Sequence, residues 1–317
     1  MSNIEFYDLH PPLANLKEEV LNGLSSQPKA ISPKFFYDQY GSQLFDQITE
    51  LPEYYPARTE MGILKEHSHE MASLLGEECL LLELGSGSSQ KIRLLLDALQ
   101  PAAYMPMDIS KAHLLESSQT LATDYPELEI HATCVDYSDD FQLPYCPEQT
   151  PKAAFFPGSS IGNFEPPQAQ EVLQRVSQLL GQDGALSIGI DLKKEAQRLN
   201  AAYNDAQGVT AAFNLNLLTR INRELEADFD LSCFKHHAFY NEKQGRVEMH
   251  LVSNTPQEVN VDKQTFAFSE GESIHTENSY KYTVEQFQNL ATKANFQAEQ
   301  VWIDSDQLFS VHCLRVN

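Results

Sequence analysis

Apolar residues recur along the middle of the chain with two periods that take turns. Residues 79–84 (CLLLEL) are a short apolar run closed by Gly85, and KIRLLLDAL over 91–99 has helical spacing, so strand, tight turn and helix follow in order. The pattern repeats. AAYMPMDIS (102–110) reads as strand, AHLLESSQTLATDY as helix, LEIHATCVDY (128–137) as strand, KAAFFPGSSIGNF (152–164) as strand and loop, PQAQEVLQRVSQLL as helix and ALSIGIDL (185–192) as strand. Such alternation predicts an α/β fold with a parallel, doubly wound sheet.

After Asp191 the alternation stops. Val209, Phe213, Leu217, Ile221 and Leu225 recur every fourth residue, one stripe of a long amphipathic helix. SCFKHHAFYN, RVEMHLVSN and EVNVDKQTFAFSEGESIHTENSYKY then alternate as antiparallel strands do, which predicts an inserted α+β subdomain. From about residue 283 the chain returns to a helix, TVEQFQNLATKANF, followed by two strands, QAEQVWIDS and LFSVHCLRV. Joined by a short polar turn, these two must pair as a hairpin at a sheet edge. A hairpin finish is typical of S-adenosylmethionine (SAM) methyltransferases and much less so of dinucleotide dehydrogenases. The expected fold is therefore a class I SAM methyltransferase Rossmann-like sheet with a terminal antiparallel hairpin, over 60–195 and 283–317. A second α+β domain is expected from the N-terminal arm, 1–59, and the insertion, 196–282. The helix SQLFDQITEL and the breakers Pro52 and Pro56 lie in that arm.

Composition narrows the partners. The chain has 317 residues with 45 acidic and 22 basic side chains, a net charge of −23, and 42% hydrophobic residues. That length suits two domains, or one large domain carrying an insertion. The negative surface repels phosphate backbones and anionic headgroups, so neither nucleic acid nor a membrane is an expected partner. Five scattered cysteines, Cys79, Cys134, Cys146, Cys233 and Cys313, form no C-x-x-C pair and read as reduced thiols of a cytoplasmic protein. The N-terminus lacks the apolar core of a signal peptide, and no segment approaches 18 apolar residues in a row. A monomer is expected.

Candidate chemistry gathers at the ends of the predicted strands. Gly85-Ser86-Gly87-Ser88-Ser89-Gln90 sits where strand turns into helix, so backbone N–H groups face any polar or anionic cofactor there. The third glycine of G-x-G-x-x-G is replaced by Gln90, so the pyrophosphate fingerprint of NAD enzymes fails. Asp108 closes the second strand, where a carboxylate accepts hydrogen bonds from ribose hydroxyls. Asp136-Tyr137 closes the third, offering an acceptor for an adenine amino group and a ring to stack on its face. Gly158-Ser159-Ser160-Ile161-Gly162-Asn163-Phe164 follows the fourth strand at the carboxyl edge, where open α/β sheets bind ligands, although a simple glycine turn is the alternative. His236 and His237 are neighbours on one strand and point to opposite faces; they read as structural, as do His67, His69, His250 and His312, and no metal site is expected. No nucleophile elbow or H-x-x-x-H supports acyl transfer or metal-dependent hydrolysis.

Several long segments resemble the histidine Nα-methyltransferases of ergothioneine biosynthesis, which make the betaine hercynine. They are YDQYGSQLFDQITELPEYYPARTE (37–60), LLELGSGSSQKIRLLLDAL (81–99), PGSSIGNFEP (157–166), DLKKEAQRLNAAYNDAQGVTAAFNLNLLTRINRELEADFD (191–230) and TENSYKY (276–282). The resemblance covers nearly the whole chain. It implies that Gly85, Gly87, Lys91, Asp108, Asp136 and Tyr137 bind SAM, with the loop and Lys91 near the methionine part, Asp108 on the ribose, and Asp136 with Tyr137 around the adenine. Similar proteins have Phe where this chain has Tyr137. The resemblance also implies that Tyr37, Tyr54, Gly158, Asn163 and Tyr203 surround the substrate's α-amino and carboxylate groups, with Tyr37, Tyr54 and Asn163 the catalytic set. Glu277 and Ser279 resemble the pair that hydrogen-bonds the imidazole and selects histidine.

Elementary chemistry agrees with these residue types. Methyl transfer from a sulfonium is an in-line displacement that needs a neutral amine lone pair held close, so positioning and desolvation suffice without a metal. Tyrosine faces favour both the sulfonium and the increasingly methylated, finally cationic amine. Glu277 and Ser279 make a two-point test of an imidazole that phenylalanine or leucine fails. The reading is three successive methylations of L-histidine to trimethylhistidine, releasing S-adenosylhomocysteine. The alternatives are methylation of another amine or of an imidazole nitrogen, as in tryptophan-derivative or ovothiol chemistry, and a non-catalytic SAM-binding protein.

Overall fold

The computed structural model describes residues 3–9 and 13–317. In chain order its strands are β1 (Ile4–Asp8), β2 (Lys29–Ala30), β3 (Leu80–Leu84), β4 (Ala103–Asp108), β5 (Glu129–Cys134), β6 (Lys152–Phe156), β7 (Ala185–Asp191), β8 (Phe234–Asn241), β9 (Arg246–Ser253), β10 (Gln257–Val261), β11 (Gln264–Phe268), β12 (Ser273–Tyr280), β13 (Phe296–Ile303) and β14 (Phe309–Val316). The α-helices are α1 (Leu13–Ser25), α2 (Gln39–Thr49), α3 (Tyr55–Leu75), α4 (Ile92–Leu99), α5 (Lys111–Asp124), α6 (Pro166–Leu180), α7 (Ala196–Ala202), α8 (Val209–Leu225) and α9 (Val284–Lys293). They divide into two compact units. The first takes the described part of Met1–His10 with Pro56–Lys193 and Tyr280–Asn317; the second takes the described part of Pro11–Tyr55 with Lys194–Ser279.

The first unit is built on an eight-stranded sheet in the order β1-β5-β4-β3-β6-β7-β14-β13. Every pairing from β1 to β7 is parallel, whereas β14 runs antiparallel to both β7 and β13. This is the class I SAM methyltransferase arrangement, a Rossmann-like sheet finished by an antiparallel hairpin. Its central strands are mostly apolar and buried on both faces because helices cover both, Glu83 within β3 and the acids that close β4 and β7 being exceptions. Leu80, Leu82 and Leu84 pack with Leu173 and Val176 of α6 and Phe287 of α9, while Leu81 points into a second cluster with Leu64 and Met71 of α3 and Leu95 of α4. The strand order reverses at β3, whose neighbours are β4 and β6, and the crevice beyond the carboxyl ends of such strands is where open α/β sheets take ligands.

Two expectations about the N-terminal arm are corrected. Residues 1–59 were expected to lie wholly in the second domain, but Ile4–Asp8 pairs in parallel with β5 at the edge of the large sheet, from Ile4↔Ile130 to Asp8↔Cys134. A five-residue edge strand buries little and carries almost no periodic signal, whereas the exposed edge of β5 offers it a full ladder. Pro56, expected as a breaker, lies in the first turn of the 21-residue helix α3. Its missing N–H costs nothing there, because first-turn N–H groups have no partner within the helix.

In the second unit, a four-stranded sheet has the order β2-β12-β9-β8, and β10 and β11 form a separate hairpin. Thus β12 pairs in parallel with β2, so the segment 258–282 is not one antiparallel run. Helix α8 packs on this sheet: its fully buried Asn214 donates to the His250 carbonyl at 3.1 Å and accepts from Thr276 Oγ1 at 2.8 Å. Asp38 caps α2 by accepting the Gly41 N–H at 2.7 Å and also accepts from Asn216 of α8 at 2.8 Å.

Candidate active site

In the first unit the expected cofactor residues converge on the carboxyl ends of β3, β4 and β5. Gly85 and Gly87 both hold positive φ, 73° and 50°, a conformation that a side chain strains and that turns the chain sharply from β3 toward α4. The Gly87 N–H then donates to Asp108 Oδ2 at 3.0 Å, and the Ser110 N–H donates to Oδ1 at 2.8 Å. These bonds clamp the acid at the end of β4. Burial raises the Asp108 carboxyl above the usual carboxylate range, against the pull of the Ser110 and Gly87 N–H groups.

Tyr137 stands over the loop: a Cβ on Gly85 would lie 3.6 Å from its hydroxyl. The ring meets Phe156 edge-on, with centroids 5.5 Å apart. Asp136, also buried, accepts the Ser138 N–H at 3.0 Å. Ser86 Oγ is buried in the same loop with no hydrogen-bond partner. An orphaned hydroxyl, two left-handed glycines and two buried acids at adjoining strand ends fit a nucleoside carrying hydroxyl and amino groups. Asp108 and Asp136 are carboxylates able to accept from such groups, and the Ser86 hydroxyl has hydrogen-bonding capacity unused.

Lys91 and Gly158 come together through a residue the sequence reading did not single out. Glu60 of α3 is fully buried, and its carboxylate accepts Lys91 Nζ at 2.6 Å and the Gly158 N–H at 2.9 Å. A buried carboxylate held by one cation and one N–H fixes both the start of α4 and the loop after β6. Gly189 of β7 is glycine for the same reason, since a Cβ there would lie 2.1 Å from Glu60 Oε1. Asn163 ends a short 3-10 turn, Ser160–Asn163, in that loop and is half-buried. The neighbouring Gly162 lies so close to the Tyr280 backbone that a Cβ would fall 2.7 Å from its carbonyl oxygen.

The second unit holds the expected tyrosines in a chain of edge-on rings. Tyr37 contacts Phe45 with centroids 5.7 Å apart, Phe45 contacts Tyr54 at 6.3 Å, and Tyr54 contacts Tyr203 at 6.3 Å. The chain ends on a hydrogen bond from the Tyr203 hydroxyl to Ser279 Oγ of β12, 2.7 Å long and buried. Glu277 lies two residues earlier on the same strand and is itself 9% exposed. His236 holds the Tyr203 carbonyl at 2.9 Å, which ties the end of α7 to the sheet. Tyr54, Tyr203 and Ser279 are thus one packed group, with Tyr37 joined to it through Phe45.

Comparison with known proteins gives this arrangement its family. A model of the histidine-specific, SAM-dependent methyltransferases matches residues 16–316. The chain belongs to this family. It is 41% identical over 295 residues to the histidine N-alpha-methyltransferase of Mycolicibacterium smegmatis, covering 91% of each chain. The protein of the same name from Mycobacterium tuberculosis is 42% identical over 273 residues, 84% of each chain. Ergothioneine biosynthesis protein 1 of Neurospora crassa is 29% identical over 95% of this chain and 35% of its own length.

One further buried acid lies in β3, just before the Gly85 turn. Glu83 of β3 is buried, accepts from the Tyr104 hydroxyl, and is driven by burial up to about 8 while Tyr104 pulls the other way. Neither Glu60 nor Glu83 has a spacing motif. Glu83 could have been noticed as an acid inside the apolar run LLLEL, whereas Glu60, between Arg58-Thr59 and Lys65, carries no such signal.

Proposed function

We propose that this methyltransferase transfers methyl groups from SAM to the α-amino nitrogen of L-histidine, three times in succession, giving trimethylhistidine as a step of ergothioneine-type biosynthesis. When bound, SAM supplies a methyl group on a positively charged sulfur, open to displacement by an amine lone pair. Asp108 takes the ribose hydroxyls, Asp136 and Tyr137 take the adenine, and Gly85, Gly87 and Lys91 line the methionine part. Tyr37, Tyr54, Gly158, Asn163 and Tyr203 hold the amino acid's ammonium and carboxylate ends. Glu277 accepts an imidazole N–H, and Ser279 meets the other ring nitrogen.

The observation that carries this reading is the bond from Tyr203 to Ser279 beside buried Glu277. A serine hydroxyl oriented by a tyrosine, two residues from a shielded carboxylate, presents a rigid polar pair. Pairing of that kind discriminates, because an apolar side chain offers neither group the hydrogen bond that an imidazole does. The same residues favour histidine over a tryptophan-derived acceptor, whose indole has one N–H and no second nitrogen. The enzyme is further read as a cytoplasmic monomer. Its scattered free cysteines support the compartment, and among the described residues no helix is long and apolar enough to cross a membrane.

The test is mass spectrometry of the products after incubation with SAM and an equimolar mixture of amino acids that includes mono- and dimethylhistidine. Trimethylhistidine with every methyl on the α-nitrogen is the expected product. Untouched histidine in a protein that SAM still stabilises would overturn the choice of acceptor and leave the SAM site standing.

A further inference from the structure

On the sheet of the second unit, His250 and Glu248 are two residues apart on β9, so both side chains project from one face. β12, the neighbouring strand, brings His275 alongside: the His250 and His275 rings stack with centroids 4.6 Å apart and planes within 16°. Phe239 of β8 stacks on the other side of His250 at 5.6 Å. One ligand-capable atom from each of Glu248, His250 and His275 lies within 4.8 Å of the other two. We propose that Glu248, His250 and His275 form a binding site for a divalent transition-metal ion, zinc being the best match, outside the methyl-transfer residues.

Each of the three has one polar atom held by an outer partner and another turned toward the cluster. Glu248 Oε1 accepts from Arg246 Nε at 2.8 Å and from Asn241 Nδ2 at 3.0 Å, while Oε2 lies 3.1 Å from His250 Nε2. His250 Nδ1 is 3.3 Å from Ser273 Oγ. His275 Nε2 is 3.0 Å from the Glu277 carbonyl oxygen, which accepts a hydrogen bond from that N–H and leaves Nδ1 as the ring's lone-pair donor. Outer partners of this kind fix the tautomer and orientation of metal-binding side chains. Two imidazoles and one carboxylate suit zinc and similar first-row ions, and metal–ligand bonds of about 2.1 Å require ligand atoms roughly 3.4 Å apart in a tetrahedral shell. The 3.1 Å pair is close to that separation, and the wider spacing closes when the stacked imidazoles turn about χ1 and χ2 so that both in-plane lone pairs meet the ion. Glu248 is 7% exposed whereas both histidines are half-buried, so an ion reaches the cluster from solvent and completes its shell with water. Neither histidine shows H-x-x-x-H spacing, because the third ligand arrives from another strand.

The experiment is calorimetric titration of metal-stripped protein with zinc chloride, alongside Glu248→Gln and His275→Ala, with SAM-induced thermal stabilisation confirming that each variant is folded. One zinc per chain is expected, and each substitution should weaken it by more than the roughly 10- to 100-fold typical of losing an outer partner. Stoichiometric binding left unchanged by both substitutions, or no saturable binding to the wild type, overturns the site. Should a variant fail to fold, X-ray absorption on the zinc-loaded wild type decides instead. A shell of nitrogen and oxygen near about 2.0–2.1 Å supports the assignment, and sulfur near about 2.3 Å moves the ion to the cysteines.

Discussion

Replacing Glu60 by glutamine isolates the contact that ties the start of α4 to the loop after β6. The side chain keeps its shape but loses its charge, so a buried acceptor of Lys91 (2.6 Å) and of the Gly158 N–H (2.9 Å) becomes a neutral amide with one acceptor oxygen. Removing one partner of a buried ion pair costs about 3–5 kcal/mol. Here the Lys91 side chain is 21% exposed and regains some hydration, which places the expected loss below that range, at about 2–3 kcal/mol. For a unit of roughly 200 residues that corresponds to a fall in Tm of about 4–12 °C. Differential scanning calorimetry reads the stability, and calorimetric SAM titration reads the loop, where binding should weaken because Lys91 and Gly158 are no longer held in place. A Glu60→Gln protein melting within about 1 °C of wild type, with unchanged SAM affinity, would refute the positioning role and leave Glu60 an incidental buried acid.

Glu277→Ala should keep SAM binding and lose discrimination between histidine and other amino acids; competition assays read by mass spectrometry check it, and retained discrimination removes Glu277 from the acceptor site. Tyr203→Phe deletes the donor to Ser279, a loss of about 1 kcal/mol, and should lower kcat/KM for histidine roughly five-fold with SAM affinity unaltered; an unchanged kcat/KM refutes it. Gly189→Ala drives a methyl group against Glu60 Oε1 and the Phe309 ring, so it should destabilise by about 1–3 kcal/mol or more in urea unfolding, and a neutral effect would show that α3 yields freely. Glu83 binds its proton more tightly folded, with a carboxyl near 8, than unfolded, near 4.5, so its contribution to stability is fully present below about 4.5 and is lost as pH rises toward about 8. Glu83→Gln should remove that slope from a pH series of unfolding midpoints, and parallel curves for variant and wild type would sink the assignment.

The alternation of apolar strands and amphipathic helices from residue 79 to 192, the stripe from Val209 to Leu225, and the terminal strand pair were all legible in the chain. Each is a local periodicity, and burial on two faces, one face or a hairpin leaves a different repeat. The loop glycines and the acids after each strand were legible too, because a strand-to-helix turn needs Gly85 and Gly87 at positive φ and its ends face the ligand crevice. What periodicity does not carry is who pairs with whom. Ile4–Asp8 joins the large sheet only because β5 leaves an edge open, and Pro56 begins a helix only because Tyr55 starts one there. Glu60 meets Lys91 and Gly158 across 31 and 98 residues, and His275 meets Glu248 and His250 across a strand boundary. A charged residue is tolerated in a core only with partners at hand, and those partners are chosen by the packing of whole elements, which no short window of sequence records.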